Sequence, residues 1–199
     1  MADASVGAYI LAGGLSSRFG SDKARALIAG EPLLIRLKNF LLRANFEPVT
    51  AVVNDPSRYA DLPIQFITDK LPNIGPLGGL HSALTHTIEH FGEGWILLVP
   101  CDLLVFENAW CHRFETEMAR ATRASRAIAL FDQDWLPFPA LYHTDLLPCV
   151  TSQIDQGFLS LRQLLKHPDC GAICITAQEL PPIQSANTPD EWKRFLDSL

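Results

Sequence analysis

Short apolar runs alternate, along the first half of the chain, with segments in which apolar residues recur every three or four positions. Such runs are typical of buried strands, and such segments are typical of helices that face a core. The pattern predicts strands over 6–11, 49–53, 65–68 and 95–99, and helices over 33–44 and 80–91. Because strands and helices alternate, we expect an α/β fold with a doubly wound, mostly parallel sheet and helices on both faces.

The second half is less regular, and one of its predicted strands contains a proline. Pro139 has no N–H to donate, so we expect this strand to lie at a sheet edge or to contain a bulge. Thr188, Pro189 and Glu191 stand in the order of an N-cap, a first helical residue and a capping-box partner, which predicts a last helix. The pattern also predicts helices over 108–122 and 157–166, and strands over 127–131, 138–143 and 173–175.

The first predicted strand ends at a glycine pair, Gly13-Gly14, which is followed by small polar residues, Arg18 and Lys23. Glycines let the backbone pass close to a ligand, and successive N–H groups in such a loop bind anions. The glycine pair alone favours an ordinary turn, but the two cations favour a polyphosphate site. The loop matches neither the P-loop pattern nor the dinucleotide pattern G-x-G-x-x-G.

Polar residues also follow the other predicted strands: Asn54, Asp69 and Asp102. Ligands of doubly wound sheets bind beyond the carboxyl ends of the strands, so we expect these side chains to meet Gly13-Gly14 in one crevice. Asp102 has no cation beside it in the sequence. Mg²⁺ takes one or two protein carboxylates and completes its shell with phosphate and water, so Asp102 is a candidate ligand. The alternative is an N-cap for a helix over 104–110.

The composition is that of one globular domain, which we assign to residues 1–199: 48% of the residues are hydrophobic and 19% are charged. We find no internal repeat and no linker. The formal net charge is −6, whereas a duplex-binding protein usually has a basic face, so we expect no nucleic-acid partner. The basic residues that cluster have the spacing of a solvated helix face: Arg113, Arg120, Arg123 and Arg126.

The sequence contains no apolar run long enough to cross a bilayer, and residues 1–5 lack the features of a signal peptide. Its five cysteines form no C-x-x-C pair, which favours free thiols in a reducing compartment. We therefore expect a cytoplasmic protein without a membrane partner. His86 and His90 lie one helical turn apart, near His81, but no third ligand shares their face, so ordinary helix histidines are favoured over a zinc site.

Three stretches resemble one known family, the molybdenum cofactor guanylyltransferases, which belong to the Rossmann-like nucleotidyltransferases. The first stretch, residues 10–23, is similar to the signature L-A-G-G-x-S-x-R-x-G-x-D-K, with Phe19 where the family more often has Met. The second, residues 75–80, matches G-P-L-x-G-[LI]. The third, residues 99–102, resembles the metal motif P-C-D, although Leu104 stands where the family usually has Pro.

The resemblance implies a set of site residues. Lys23, Arg18 and Asp102 would be catalytic, and Asp102 would also bind Mg²⁺. Asp69 would contact the nucleotide, but the sequence leaves open whether it meets the guanine base or the ribose. The nucleotide-binding residues that the resemblance implies are Leu11, Ala12, Gly13, Gly14, Lys23, Asn54, Asp69, Gly75, Gly79, Asp102 and Asn187.

The resemblance further divides the chain into a nucleotide-binding half, 1–105, and a pterin-binding half, 106–199. The departures from the family fall mainly in the second half. Ser185 stands where an Asn is frequent, Leu159 replaces an Arg, and the Gln that usually precedes Pro137 is missing.

The activity implied is the Mg²⁺-dependent transfer of GMP from GTP to the terminal phosphate of the molybdopterin cofactor, with release of pyrophosphate. Molybdoenzymes or their chaperones are the further partners that this activity would require. One alternative is a CTP-dependent cytidylyltransferase or another small-molecule nucleotidyltransferase; Gly13-Gly14 and Asp22-Lys23 favour GTP. Another alternative is a non-catalytic nucleotide-binding protein on the same fold, since fold alone does not decide function.

Overall fold

The centre of the protein is a seven-stranded sheet, seen in a computed structural model that describes residues 6–13, 22–71, 73–176, 183–186 and 188–197. All neighbouring strands are parallel except one, which is antiparallel to both of its neighbours. The mostly parallel sheet is as predicted. From one edge to the other its strands are β10 (Ala172–Thr176), β8 (Ala127–Asp132), β9 (Asp134–His143), β6 (Trp95–Pro100), β1 (Gly7–Leu11), β4 (Val49–Val53) and β5 (Gln65–Thr68); the antiparallel strand is β9.

Helices cover both faces of this sheet, because alternate strand residues point to opposite sides. Ala8 and Ile10 of β1 pack in one core with the first and third helices, whereas Tyr9 packs in the other core with the second, fourth and fifth helices. The predicted two-faced architecture is confirmed. The helices are α1 (Leu33–Arg43), α2 (Pro76–Phe91), α3 (Asn108–Arg120), α4 (Leu147–Asp155), α5 (Leu161–Lys166) and α6 (Pro189–Asp197).

Two small antiparallel pairs lie outside the main sheet, and the hydrophobic pattern predicted neither. One is the hairpin of β2 (Leu27–Ile28) and β3 (Glu31–Pro32). The other joins β7 (Leu103–Val105) to β11 (Gln184–Ser185), so the C-terminal segment returns to the chain just after Asp102. These strands are too short to show a period of their own.

Pro139 lies in β9, which is an interior strand, so the edge alternative is wrong and the bulge alternative is right. Ala129 of β8 pairs with Ala140, but the next residue, Leu130, pairs with Leu136. Residues 137–139 therefore bulge out of the ladder, where the missing N–H of a proline costs no strand hydrogen bond.

The predicted helix over 157–166 is wrong in its first turn. Gly157 has a positive φ of 78°, and α5 begins only at Leu161, with the Ser160 hydroxyl as its N-cap. A separate helix, α4, precedes this turn and was not predicted. In contrast, the capping box of α6 is confirmed: Thr188 N donates to Glu191 Oε2 at 3.1 Å, and Glu191 N donates to Thr188 Oγ1 at 3.2 Å.

The predicted basic helix face is only partly formed, since α3 ends at Arg120 and leaves Arg123 and Arg126 beyond it. Arg113 and Arg120 pair with Glu117 of the same helix, with N–O distances of 2.9 and 3.4 Å. Arg126 Nη1 instead donates to the carbonyl of Asp169 at 2.9 Å. Arg113 and Arg120 thus share one carboxylate, Arg126 contacts a different segment, and the four arginines do not form one helix face.

Candidate functional site

Backbone hydrogen bonds align the carboxyl ends of the central strands at one end of the sheet. Ala12 N donates to Val52 O at 2.9 Å, and Cys101 N donates to Leu11 O at 3.0 Å. The predicted residues that follow these strands are thereby brought to the same end of the sheet. There, the Asn54 side-chain amide donates to the carbonyl of Gly13 at 2.8 Å, which links the loop after β4 to the loop after β1.

Lys23 and Asp102 meet at this end of the sheet, although 79 residues separate them in the sequence. Lys23 Nζ lies 3.4 Å from Asp102 Oδ2, and only 12% and 19% of the two side chains are exposed. The sequence placed no cation beside Asp102, and the fold supplies one. The helix-cap alternative for Asp102 is wrong, because residues 103–105 form β7 and the N-cap of α3 is Glu107.

Cys101, the residue before Asp102, keeps its thiol protonated. Burial, the main cause, together with the neighbouring Asp102 charge raises the pKa of its thiol to about 12. A thiol with such a pKa is not ionised near neutral pH and is therefore a poor nucleophile. All five cysteines are free, as the sequence predicted.

Lys23 begins a single 3₁₀ turn, Lys23–Arg25, that the preceding Asp22 caps. Asp22 Oδ1 accepts from Ala24 N at 3.1 Å, while Oδ2 accepts from the Tyr59 hydroxyl at 2.6 Å and from Arg58 at 3.1 Å. Neither Tyr59 nor Arg58 was expected near the site from the sequence. They stand in the 3₁₀ turn Pro56–Tyr59 after β4, and no sequence motif marks them.

Asp69 follows β5 and holds the next loop. Its Oδ1 accepts from Leu71 N at 3.0 Å and from the buried Ser82 hydroxyl of α2 at 3.2 Å. Among the described residues, its other oxygen accepts no hydrogen bond. The loop then reaches Gly75, whose positive φ of 73° starts α2 four residues before the predicted position 80.

The next two glycines of α2 allow it to approach the strand ends closely. A Cβ on Gly79 would lie 2.6 Å from Leu11 Cδ2 of β1, and a Cβ on Gly78 would lie 2.6 Å from the backbone oxygen of Leu71. At Gly78 the obstacle is backbone, so a larger residue there would push the helix start away from the strand ends, whereas at Gly79 the Leu11 side chain could shift.

We expect Gly78→Ala to destabilise the protein by about 1–3 kcal/mol, because overpacking against a backbone oxygen outweighs a helix-propensity gain of about 1 kcal/mol. Urea denaturation measures this. The matched control is Gly94→Ala, which meets no atom within 4 Å and should leave stability nearly unchanged. Equal stability of the two variants would contradict the close approach.

Three predicted site residues lie outside the described residues: Gly14, Arg18 and Asn187. The residue before Asn187 is placed, and it reaches the site: Ala186 N donates to the carbonyl of Asp102 at 3.3 Å. The C-terminal segment therefore contacts the loop that contains Asp102.

Two histidines of α2, His86 and His90, lie towards the C-terminal end of the helix and contact other groups. His86 and His90 stack with ring centroids 4.3 Å apart, and His86 Nδ1 lies 2.7 Å from the Tyr9 hydroxyl. Burial lowers the pKa of His86. In the described part of the chain, no group of three or more His, Cys, Asp or Glu side chains could hold a metal ion. No helix in that part is long and apolar enough to cross a membrane.

A mostly parallel sheet with helices on both faces is the fold of the Rossmann-like nucleotidyltransferases. The protein superposes on CMP:2-keto-3-deoxy-manno-octonic acid synthetase complexed with CTP with a TM-score of 0.75, at 14% identity over 98% of each chain. It superposes on molybdopterin-guanine dinucleotide biosynthesis protein A of Archaeoglobus fulgidus with a TM-score of 0.78, at 20% identity over 97% of this chain and 98% of that one.

The particular family follows from the sequence. The family model of the MobA-like NTP transferase domain matches residues 8–171, and the chain belongs to this family. It is 33% identical to a probable molybdenum cofactor guanylyltransferase of Synechococcus elongatus, over 94% of this chain and 95% of the relative. It is 27% identical to a molybdenum cofactor guanylyltransferase of Syntrophotalea carbinolica, over 96% and 84%. The resemblance drawn from the three motifs is thereby confirmed.

Proposed function

We propose that this protein transfers GMP from GTP to the terminal phosphate of the molybdopterin cofactor and releases pyrophosphate. The observation that carries the proposal is the Lys23–Asp102 pair, in which Nζ and Oδ2 are 3.4 Å apart. The pair lies at the carboxyl ends of the strands, where doubly wound sheets bind their ligands. The names of the relatives support guanine as the base and a molybdenum cofactor as the acceptor.

Asp102 fits the binding of Mg²⁺. Its Oδ2 contacts Lys23, while Oδ1 accepts no hydrogen bond among the described residues, so a carboxylate oxygen is available to a cation. Mg²⁺ prefers oxygen ligands and needs few of them from the protein when a triphosphate is present. Bound there, the metal would neutralise charge on the phosphates. Asp102 would hold it beside the ammonium of Lys23.

Lys23 would bind the triphosphate and stabilise the departing pyrophosphate. Its ammonium has three donors, so it can keep the contact with Asp102 and still donate to phosphate oxygens. Phosphoryl-type transfer depends on in-line positioning and on stabilising charge rather than on covalent chemistry from the protein. The attacking phosphate is already ionised near neutral pH, so the proposal includes no general base.

Asp69 and the loop that leads to α2 would select the base. One oxygen of Asp69 holds the loop through Leu71 and Ser82, which leaves the other oxygen for the nucleotide. A carboxylate can accept hydrogen bonds from guanine N1 and N2, a pair of donors that cytosine does not have.

We expect GTP with Mg²⁺ to raise the melting temperature much more than CTP with Mg²⁺. At ~100 times the dissociation constant, ligand binding stabilises a protein by roughly 2.7 kcal/mol, which a thermal-shift measurement resolves easily. UTP and ATP serve as controls for the triphosphate alone. Equal shifts with CTP and GTP would overturn the choice of guanine and favour a cytidylyltransferase.

The pterin would bind in the half over 106–199. There, α5 packs against β9, and the residues before α5 include the exposed side chains of Phe158 and Leu159. Exposed apolar groups suit the flat ring of a pterin. Molybdoenzymes or chaperones as receiving partners, the boundary at residue 105 and the cytoplasmic location stay predictions.

A further inference from the structure

Asp22 and Lys23 are adjacent and oppositely charged, yet their side chains turn to different partners. Lys23 reaches Asp102, whereas Asp22 turns to Tyr59 and Arg58. An Asp22 carboxylate without those partners could neutralise the neighbouring ammonium, because unlike charges a few ångströms apart attract strongly at a partly buried site. The contacts with Tyr59 and Arg58 therefore hold the Asp22 charge away from Lys23.

Hydrogen bonds occupy most of the positions at which the Asp22 carboxylate can accept a proton donor. A carboxylate offers about four lone-pair positions, and three donors occupy Asp22: Ala24 N, the Tyr59 hydroxyl and Arg58 Nη2. At 2.6 Å, the Tyr59 contact is the shortest of the three and is a charge-assisted hydrogen bond of the strong class. Only 16% of the Asp22 side chain is exposed, so water competes little for these positions.

Tyr59 is anchored in the core and can therefore act as a rigid support. Its side chain is 3% exposed, and its ring stacks on Phe66 of β5 with centroids 5.8 Å apart. The Arg25 guanidinium lies 5.6 Å from the centre of the same ring and is itself held by Asp61. Burial, with the Asp22 carboxylate as the next cause, raises the pKa of Tyr59, so its hydroxyl stays protonated and donates.

We propose that Tyr59, acting through the carboxylate of Asp22, is the positioning residue that directs the Lys23 ammonium to Asp102 and the phosphates. Tyr59 joins the core of the sheet to the 3₁₀ turn Lys23–Arg25 through one hydrogen-bonded carboxylate. The inference rests on the proposed function, because it takes Lys23 to act on a triphosphate. It extends that function to a residue outside the family motifs.

Tyr59→Phe keeps the stacked ring and removes only the hydroxyl. We expect the rate of pyrophosphate release at saturating GTP, Mg²⁺ and molybdopterin to fall about tenfold. The KM for GTP should change by less than about twofold, because the substitution weakens the stabilisation of charge that develops only in the transition state. Asp22→Asn, which removes the charge and keeps the size, should behave in the same way. Unchanged turnover in both variants would overturn the proposal.

Tyr9→Phe is the matched control for a merely structural effect. The Tyr9 hydroxyl is also buried and hydrogen-bonded, to Thr87 Oγ1 at 2.8 Å and to His86 Nδ1 at 2.7 Å, but these partners lie at the far end of α2. Its loss should lower the melting temperature about as much as the loss of the Tyr59 hydroxyl, with turnover preserved. An equal fall in turnover in both variants would mean that general destabilisation explains the Tyr59 effect.

A double-mutant cycle with Lys23→Ala tests whether Tyr59 acts through the lysine. If it does, Tyr59→Phe causes little further loss of turnover once Lys23 is already alanine, because the two substitutions remove one shared contribution. Losses that multiply independently would show that Tyr59 acts by another route and would overturn the proposal.

A last measurement does not depend on turnover. The chain has five lysines, so the Cε signals of the ¹³C-labelled protein can be assigned individually, with Lys23→Ala identifying the signal of Lys23. We expect the Lys23 signal to shift and broaden in Tyr59→Phe but not in Tyr9→Phe. An unchanged signal overturns the positioning role. A wild type that releases no pyrophosphate contradicts the proposed function instead, and the spectra still decide the role of Tyr59.

Discussion

Replacing Asp102 by asparagine is expected to reduce pyrophosphate release by about 10³-fold or more. A metal ion at a transferring phosphate supplies several kcal/mol of charge stabilisation, and each 1.4 kcal/mol is a factor of about ten in rate. Asparagine keeps the size of the side chain but loses the charge that would hold Mg²⁺. GTP binding measured without Mg²⁺ should weaken only modestly, because the metal plays no part in it.

The control for Asp102→Asn is Glu89→Gln. Glu89 Oε1 also lies 3.4 Å from a lysine ammonium, that of Lys70, but both side chains are about half exposed, at 52% and 53%. Such a surface pair contributes little to the free energy of folding, and its loss should leave both the rate of pyrophosphate release and the stability nearly unchanged. Wild-type activity of Asp102→Asn at low Mg²⁺ would show that the metal is held elsewhere.

Lys23→Ala is expected to lower the catalytic constant by a factor on the order of 10² to 10³, as the removal of one preorganised donor does at other sites of developing charge. The measurement is pyrophosphate release by the purified, folded variant at saturating GTP and molybdopterin. Lys23→Arg should restore only part of the rate, because a planar guanidinium does not replace a compact ammonium between phosphates.

Lys38→Ala is the matched control, since Lys38 is a helix lysine that donates to the carbonyl of Pro63 away from the site. A change at such a position usually alters stability by less than ~0.5 kcal/mol. If Lys23→Ala behaves like Lys38→Ala, the catalytic role is rejected. If the wild type binds GTP well but releases no pyrophosphate, the protein is a binding module on a transferase fold.

Much of the sheet followed from the sequence because its strands are short apolar runs bounded by turn residues. The strands over 49–53 and 65–68 have the predicted bounds, and α1 differs from its prediction by one residue. A continuous run of apolar, β-branched residues predicts an interior strand such as β4, in which all five residues are buried. The capping box of Thr188 and Glu191 was predictable for a similar reason, since all its hydrogen bonds are local.

Elements whose stability comes from distant contacts were not predictable in this way. The pairing of β7 with β11 joins segments about 80 positions apart and leaves no periodicity in either strand. Helix α4 lies in a stretch with a proline, Pro148, at its start, and its buried residues, Val150 and Gln153, are too few to show a clear stripe. For Pro139, the sequence could say only edge or bulge, and the order of the strands decided between them.

The sequence by itself determined the class of fold, the family and the positions of the candidate site residues after strand ends, because these depend on local periodicity and on short motifs. Only the tertiary structure decided which charges meet. It paired Lys23 with Asp102, and it turned Asp22 away from Lys23 towards Tyr59. Coulombic and hydrogen-bonding energies depend on distance in space, and a linear sequence does not contain that distance.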